Sequence, residues 1–246
     1  MRLLLVLIAA VAFAPCARAA EAHVAVAANF AVAAKRMAPA FRAASGHTLV
    51  LSSGSTGKFY AQIRSGAPFD VLLSADEETP RRLESEKLAV AGSRFTYAVG
   101  RLALWSPKPG FSDETSLRTP GVNRLAIANP RLAPYGAAAR ETLERLGLWE
   151  TMRPKLVQGE NIAQTFQFVA SGSADAGFVA LSQIRENEAR AGSHWIVPER
   201  FHSPLRQDAA LLSRGAGNDA ARAFLSYLKS APARERIRAY GYEVDG

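Results

Sequence analysis

Four short segments of this 246-residue chain share one pattern: a run of strand-forming residues passes directly into a helix start rich in Asn, Ser, Thr or Gly. The segments are Val24 to Phe30, Val50 to Lys58, Leu125 to Gly136 and Val157 to Gln164. The first N–H groups of a helix have no partner within the helix and lie at the positive end of its dipole. Several such starts that converge can therefore bind an oxyanion without a positively charged side chain.

The polar residues of these segments also have a purely structural interpretation. Asn29 and Asn161 could serve only as N-caps. Tyr135, which follows Pro134 at a predicted helix start, could simply pack its ring. The set as a whole favours a ligand site, because every segment follows the carboxyl end of a predicted strand, where ligands of open α/β sheets bind.

The segment SSGSTGK, from Ser52 to Lys58, resembles a phosphate-binding P-loop but has the wrong spacing. That motif requires Gly at the position of Ser52 and Ser or Thr at the position of Phe59. What remains is a glycine-containing turn with two hydroxyl groups and several backbone donors. Such a turn suits a small oxyanion better than a nucleotide.

Catalytic and metal-binding motifs are missing from the sequence. The histidines at positions 23, 47, 194 and 202 fall in no metal-ligand spacing, and there is no Gly-x-Ser-x-Gly motif. We therefore predict a binding protein rather than an enzyme, with no cofactor and no protein-bound metal.

Residues 1–19 predict a cleaved export signal. Arg2 precedes an apolar run from Leu3 to Phe13, and Ala17-Arg18-Ala19 is a small-x-small cleavage site. The run is shorter than the roughly 20 residues of a membrane-spanning helix. Cleavage removes Cys16, the one cysteine of the chain, so neither disulfides nor thiol chemistry is expected in the mature protein.

The formal net charge is +8, and +6 without Arg2 and Arg18. The basic residues are interspersed with acids and form no Lys- or Arg-rich block with interleaved aromatic residues. This distribution is typical of a solvated surface, so no nucleic-acid partner is predicted. We expect a monomer.

Strand-like and helix-like runs alternate along the chain, which predicts an α/β fold with mostly parallel sheets flanked by helices. The stretch from Phe95 to Trp105 is long enough to leave one lobe and enter another, so we place a crossover there. A further strand is predicted from Asp208 to Ser213. We expect two lobes with the ligand in the cleft between them: lobe I comprises 20–98 and 202–246, and lobe II comprises 99–201.

At these residues the chain resembles the periplasmic molybdate-binding proteins of ABC importers, which are type II solute-binding proteins. The similar segments follow in order along essentially the whole mature chain and are Val24 to Phe30, Ser52 to Asp76, Gly92 to Ser106, Ile127 to Gly136, Ser171 to Ile184 and Gly192 to Pro198. The resemblance implies a two-lobed periplasmic receptor that closes over molybdate, and also tungstate, and delivers the anion to a membrane permease.

The resemblance also implies the ligand contacts. The oxyanion is expected to meet Asn29, Thr56 with its neighbour Ser55, Tyr135 and the backbone N–H of Ile162, with Ala28 and Ala180 beside them. Other members of the family carry a tyrosine where this chain has Ala180, and a small residue where it has Tyr135. We therefore expect Tyr135 to supply the phenol from a different loop.

Two other functions remain open at this point. The chain could be a receptor of the same fold for sulfate, phosphate or a small organic anion. It could also be a secreted hydrolase or transferase that uses the same cleft, although the missing pair of nucleophile and base argues against an enzyme.

Overall fold

The structure is a computed structural model that describes residues 19–119, 121–187 and 192–244. The predicted signal peptide, residues 1–19, lies outside the described residues except for Ala19. Among the described residues, no helix combines the length and the apolar character needed to cross a membrane.

Strands and helices alternate along the described chain, as the sequence predicts. The strands are β1 (Glu21–Ala27), β2 (Thr48–Gly54), β3 (Val71–Leu73), β4 (Phe95–Gly100), β5 (Leu102–Ser106), β6 (Leu125–Ala128), β7 (Leu156–Gly159), β8 (Ala176–Ala180), β9 (Ser193–Ile196) and β10 (Leu205–Leu211). The α-helices are α1 (Ala31–Ser45), α2 (Thr56–Arg64), α3 (Glu78–Ser85), α4 (Pro134–Arg145), α5 (Trp149–Met152), α6 (Ile162–Ala170), α7 (Leu181–Glu186), α8 (Asp219–Leu228) and α9 (Ala231–Ala239).

The strands form two five-stranded sheets, one in each lobe. The first has the order β2-β1-β3-β10-β4 and the second has the order β7-β6-β8-β5-β9. The chain leaves the first sheet at β4 and enters the second at β5, so the predicted crossover between Phe95 and Trp105 is confirmed. The exact division into 20–98 with 202–246 and 99–201 stays a prediction.

In each sheet four of the five strands run in the same direction and one is reversed, so the prediction of mostly parallel sheets is confirmed although both sheets are mixed. In the first sheet β10 runs antiparallel to both of its neighbours, β3 and β4, and in the second sheet β5 does the same between β8 and β9. The other neighbouring pairs are parallel. The reason is the crossover: a strand that enters a lobe from the cleft must run opposite to strands whose carboxyl ends point toward it.

Each sheet is covered by helices on both faces. In the first lobe, Met37 and Phe41 of α1 pack with Phe224 of α8 on one face, while Phe59 of α2 packs on the other. In the second lobe the ring of Trp105 stacks on Phe166 of α6, with centroids 4.8 Å apart. Each sheet is thus packed against its own helices, while Ala27, Ala28 and Ala75 at strand ends of the first lobe join the hydrophobic cluster of the second lobe across the cleft.

The element boundaries differ from the predictions mainly at helix starts. Hydrophobic periodicity predicts helices that begin at Ala137 and Gly57, whereas α4 begins at Pro134, where the Pro-Tyr helix start is predicted, and α2 begins at Thr56. Strand β9 was absent from the predictions, and β10 begins at Leu205 rather than Asp208. The early start of α4 is physically reasonable because Pro at a first helical position has no N–H to leave unpaired.

Candidate oxyanion site

One cavity between the lobes is lined by residues from all four helix-start segments. Its lining comprises Ala27, Ala28, Asn29, Gly54, Ser55, Thr56, Ala75, Ala133, Pro134, Tyr135, Asn161 and Ile162. These residues lie at the carboxyl ends of parallel strands, as expected for a ligand site in an α/β fold. The structure therefore brings together segments that are more than 130 residues apart in the chain.

The cavity is small and carries no ionised lining group. About 10 Å³ of it is open to the centre of a water-sized sphere, which is far below the roughly 300 to 1,000 Å³ of pockets that hold drug-sized ligands. Among the described lining residues there is no Asp, Glu, His, Lys or Arg. Neutral hydroxyl and N–H donors are thus the groups available to a bound anion, which suits a small oxyanion.

The second segment contributes two buried hydroxyl groups. Ser55 precedes α2 in an extended conformation, but its side chain makes no capping hydrogen bond. Its Oγ is buried and has no hydrogen-bond partner among the described residues. Thr56 Oγ1 accepts a hydrogen bond from the N–H of Ala75 at 3.0 Å, so its own proton is available for another acceptor. An unpartnered buried hydroxyl is unfavourable, so Ser55 points to a ligand that supplies the missing acceptor.

The third segment places a phenol against the cavity. Pro134 stands at the first turn of α4, and Tyr135 follows it with only 1% of its surface exposed. Tyr135 Oη accepts a hydrogen bond from Nε2 of Gln207 at 3.2 Å. Burial, reinforced by the nearby Tyr242, raises the pKa of Tyr135 well above its ordinary value. The phenol therefore stays protonated and can donate to an anion.

The fourth segment offers one backbone donor. The side chain of Asn161 caps α6 by accepting hydrogen bonds from the N–H groups of Ala163 and Gln164, both at 3.0 Å. The N-cap interpretation of Asn161 is thus confirmed. Because the cap uses the second and third N–H groups of the helix, the first N–H, that of Ile162, is the one left for a ligand.

The first segment reaches the cavity through its main chain. The Nδ2 of Asn29 donates to Gln207 Oε1 at 2.8 Å and to Tyr242 Oη at 3.1 Å, so the amide side chain is already engaged. The N–H of Ala28 donates to the carbonyl of Gly54 at 2.9 Å. Asn29 can therefore offer its backbone N–H, whereas Ala28 forms a wall of the cavity.

Ala180 is not part of the cavity lining, which corrects its inclusion in the expected contacts. It is fully buried at the end of β8, and its N–H donates to Oε1 of Gln183 at 3.0 Å. That bond leaves it no donor for a ligand. Tyr135 does line the cavity, in agreement with the expectation that the phenol comes from a different loop.

Comparison with known proteins identifies the family. The model of the bacterial extracellular solute-binding protein family matches residues 22–243, which is nearly the whole described chain. The chain belongs to this family.

Two curated relatives and one solved structure show how close the similarity is. The chain is 52% identical over 229 residues to the molybdate-binding protein ModA of Azotobacter vinelandii, covering 92% of this chain and 91% of that protein. It is 46% identical over 230 residues to ModA of Rhodobacter capsulatus, covering 93% and 90% respectively. The solved periplasmic molybdate-binding protein of Azotobacter vinelandii superposes with a TM-score of 0.87 at 40% identity, covering 92% of this chain and all of that one.

In this solute-binding protein the two lobes touch across the cavity mouth. The N–H of Gly57 in α2 donates to the carbonyl of Leu132 at 2.9 Å, and Lys58 forms an ion pair with Glu160. A side chain at position 57 would press on the Leu132 backbone, so glycine permits this close approach. The sequence predicts that Lys58 points to solvent; its side chain is half-exposed but is paired with Glu160 of the opposite lobe.

Sequence reasoning missed three residues beneath the cavity of the solute-binding protein: Tyr97, Gln207 and Tyr242. All three are buried. Gln207 forms hydrogen bonds with Tyr97 and Tyr135, and Tyr242 forms one with Asn29. The available signal was the run of three polar residues, Arg206, Gln207 and Asp208, in strand β10, of which the last two are fully buried. Polar residues at buried strand positions are uncommon unless they are hydrogen-bonded to neighbours.

Within the described residues, no group of three or more His, Cys, Asp or Glu side chains is placed to hold a metal ion.

Proposed function

We propose that this protein is the periplasmic receptor of an ABC importer for molybdate, and also tungstate. The observation that carries the proposal is the convergence of four strand-to-helix segments, two from each lobe, on one small cavity lined without charged groups. The relatives at 52% and 46% identity, which are named as molybdate-binding proteins, support the same ligand.

The proposed anion contacts come from both lobes. The donors are the Asn29 main chain, the Ser55 and Thr56 hydroxyl groups, the Tyr135 phenol and the Ile162 N–H, with Ala28 as a wall. Because these groups are neutral, a dianion is balanced by oriented dipoles rather than by an ion pair. Selectivity then depends on the number of donors and the size of the cavity, so a larger tetrahedral anion can be preferred over sulfate by fit.

The remaining features of the proposal follow from this role. The chain is exported, its signal peptide of residues 1–19 is removed, and the mature protein works as a monomer without a cofactor or a catalytic activity. It carries the anion to a membrane permease. Its lobes, 20–98 with 202–246 and 99–201, close when the anion binds, because the donors are divided between them.

Calorimetric titration of ligand-free protein with molybdate, tungstate, sulfate and phosphate tests the proposal. Tight binding of molybdate and tungstate, with much weaker binding of the two smaller anions, is the expected result. Preference for sulfate or phosphate would assign the same cleft to another anion. Absence of binding to all four would refute an oxyanion receptor.

A second measurement tests lobe closure. Solution scattering should give a smaller radius of gyration with saturating molybdate than without it. Identical scattering profiles for protein that binds molybdate by calorimetry would show that the cleft does not close on the ligand.

A further inference from the structure

Gln207 lies at the centre of a buried hydrogen-bond network beneath the proposed anion site. It belongs to β10 of the first lobe, is fully buried, and does not line the cavity. Its Oε1 accepts hydrogen bonds from Asn29 Nδ2 at 2.8 Å and from Tyr97 Oη at 3.1 Å. Its Nε2 donates to Tyr135 Oη, in the second lobe, at 3.2 Å.

These contacts determine which end of the Gln207 amide faces Tyr135. Asn29 Nδ2 can only donate, so the group opposite it must be the amide oxygen of Gln207. The orientation of the Asn29 amide is itself determined by Tyr242. The Tyr242 hydroxyl donates to the main-chain carbonyl of Asn29 at 2.7 Å, and its oxygen accepts from Asn29 Nδ2. The NH₂ group of Gln207 is therefore directed at the Tyr135 oxygen.

A phenol has a single proton and can donate only one full hydrogen bond. Since the Tyr135 oxygen accepts from Gln207, the phenol proton does not point at Gln207 and is free to point into the cavity. We propose that Gln207 is a positioning residue, which directs the Tyr135 proton toward the bound oxyanion without touching the anion itself. This inference rests on the proposed molybdate site.

The local fold supports this role. The pairing of β4 with β10 has an irregularity at Gln207, and Tyr97 is the residue of β4 left without a partner opposite. Bulges of this kind commonly re-aim side chains beside functional sites. Gly100, at the crossover, lies against both side chains, and a Cβ there would overlap Tyr135 Oη and Gln207 Nε2.

The orientation matters because the site has no charged lining group to compensate for a misdirected dipole. A Tyr135 proton turned away from the cavity would present an oxygen lone pair to the anion and replace attraction by repulsion. Loss of Gln207 should therefore weaken molybdate binding through Tyr135, by a factor comparable to the loss of the phenol itself.

A double-mutant cycle on molybdate affinity tests the inference, using calorimetry on wild type, Gln207→Leu, Tyr135→Phe and the double variant. Gln207→Leu and Tyr135→Phe should each weaken binding by roughly tenfold or more, since each removes or misdirects one hydrogen bond to a charged group. In the Tyr135→Phe background, Gln207→Leu should cost less than about twofold, because no phenol proton remains to be oriented.

The unfolding temperature of the ligand-free variants provides the contrast with a merely structural role. Gln207→Leu should lower it in both backgrounds, because Asn29 Nδ2 loses its buried acceptor Gln207 Oε1 in either case. Tyr97→Phe is the matched control: it removes the hydroxyl that donates to Gln207 Oε1 and to the Ser74 carbonyl, on the side away from Tyr135, and should leave molybdate affinity within about threefold.

Gln207→Glu provides a second cycle if Gln207→Leu does not fold. It keeps the shape and the acceptor used by Asn29 and Tyr97 but turns the donor that faces Tyr135 into an acceptor. Its added negative charge weakens binding in both backgrounds, so a larger loss in the presence of Tyr135 than in Tyr135→Phe measures the redirected phenol proton.

Equal losses of affinity in both backgrounds, or wild-type affinity of Tyr135→Phe, would overturn the role of Gln207 while leaving the molybdate receptor intact. Failure of the wild-type protein to bind molybdate would instead overturn the proposed function, and this inference with it.

Discussion

Replacing Ser55 by Ala should separate ligand affinity from protein stability. Ser55 Oγ is buried at the cavity and has no hydrogen-bond partner among the described residues. It stands at the N-cap of α2 without capping the helix. The hydroxyl group therefore contributes to the folded protein mainly when an anion is present to accept its proton.

The magnitudes follow from the contacts on each side. A hydrogen bond to a charged group contributes about 1.5 to 3 kcal/mol, so Ser55→Ala should weaken molybdate binding by about 10- to 100-fold. The usual loss of about 1 kcal/mol for replacing an N-cap Ser does not apply, because no capping bond is broken. The free energy of unfolding of the ligand-free protein should stay the same or rise.

Calorimetric titration gives the affinity, and chemical denaturation without ligand gives the stability. Ser53→Ala is the matched control, since Ser53 is an exposed residue of the same segment outside the cavity lining and should change neither quantity. Unchanged molybdate affinity of Ser55→Ala would refute the reasoning. A loss of stability of 1 kcal/mol or more would show that the hydroxyl has a partner within the protein.

Three further predictions concern other residues. Thr56→Val should weaken molybdate binding by about 10- to 100-fold. It should also lower the free energy of unfolding by about 1 to 3 kcal/mol, because the N–H of Ala75 loses its acceptor. Unchanged affinity of the variant by calorimetry would exclude Thr56 from the site. Lys58→Met breaks a solvent-exposed ion pair worth at most about 1 kcal/mol, so calorimetry should show less than about a fivefold loss of affinity, and a much larger loss would mean that the pair itself holds the cleft shut. Burial raises the pKa of Glu186 from 4.5 to about 7, against the opposing charge of Arg36. The folded protein therefore holds this proton more tightly than the unfolded chain, and its stability falls as the pH rises from about 4.5 to 7. Glu186→Gln should remove that dependence and raise the free energy of unfolding at pH 8 by about 1 to 3 kcal/mol, whereas parallel denaturation curves for wild type and variant across this pH range would contradict it.

Much of the architecture was predictable because hydrophobic periodicity and helix-start residues act locally. The sequence pattern predicts strands over Val71–Leu73 and Leu125–Ala128 and helices over Ile162–Ala170 and Asp219–Leu228, and these are the observed bounds of β3, β6, α6 and α8. Strand direction was not predictable in the same way, because the hydrophobic pattern of β5 and β10 does not depend on whether a strand runs parallel or antiparallel to its neighbours. Only the return of the chain across the cleft decides that these two strands are reversed in their sheets.

For the candidate site, too, some features follow from local sequence and others only from the folded structure. The sequence by itself determined that four helix starts carry neutral donors and follow strand ends, because N-cap chemistry and strand patterning depend on residues close in the chain. The tertiary structure alone decided which atoms of those residues remain free: Asn161 uses its side chain as a cap, Asn29 gives its side chain to Gln207 and Tyr242, and Ser55 is left without a partner. Those outcomes depend on contacts between residues up to 213 positions apart, and hydrogen-bond satisfaction over such distances is a property of the folded arrangement rather than of any local pattern.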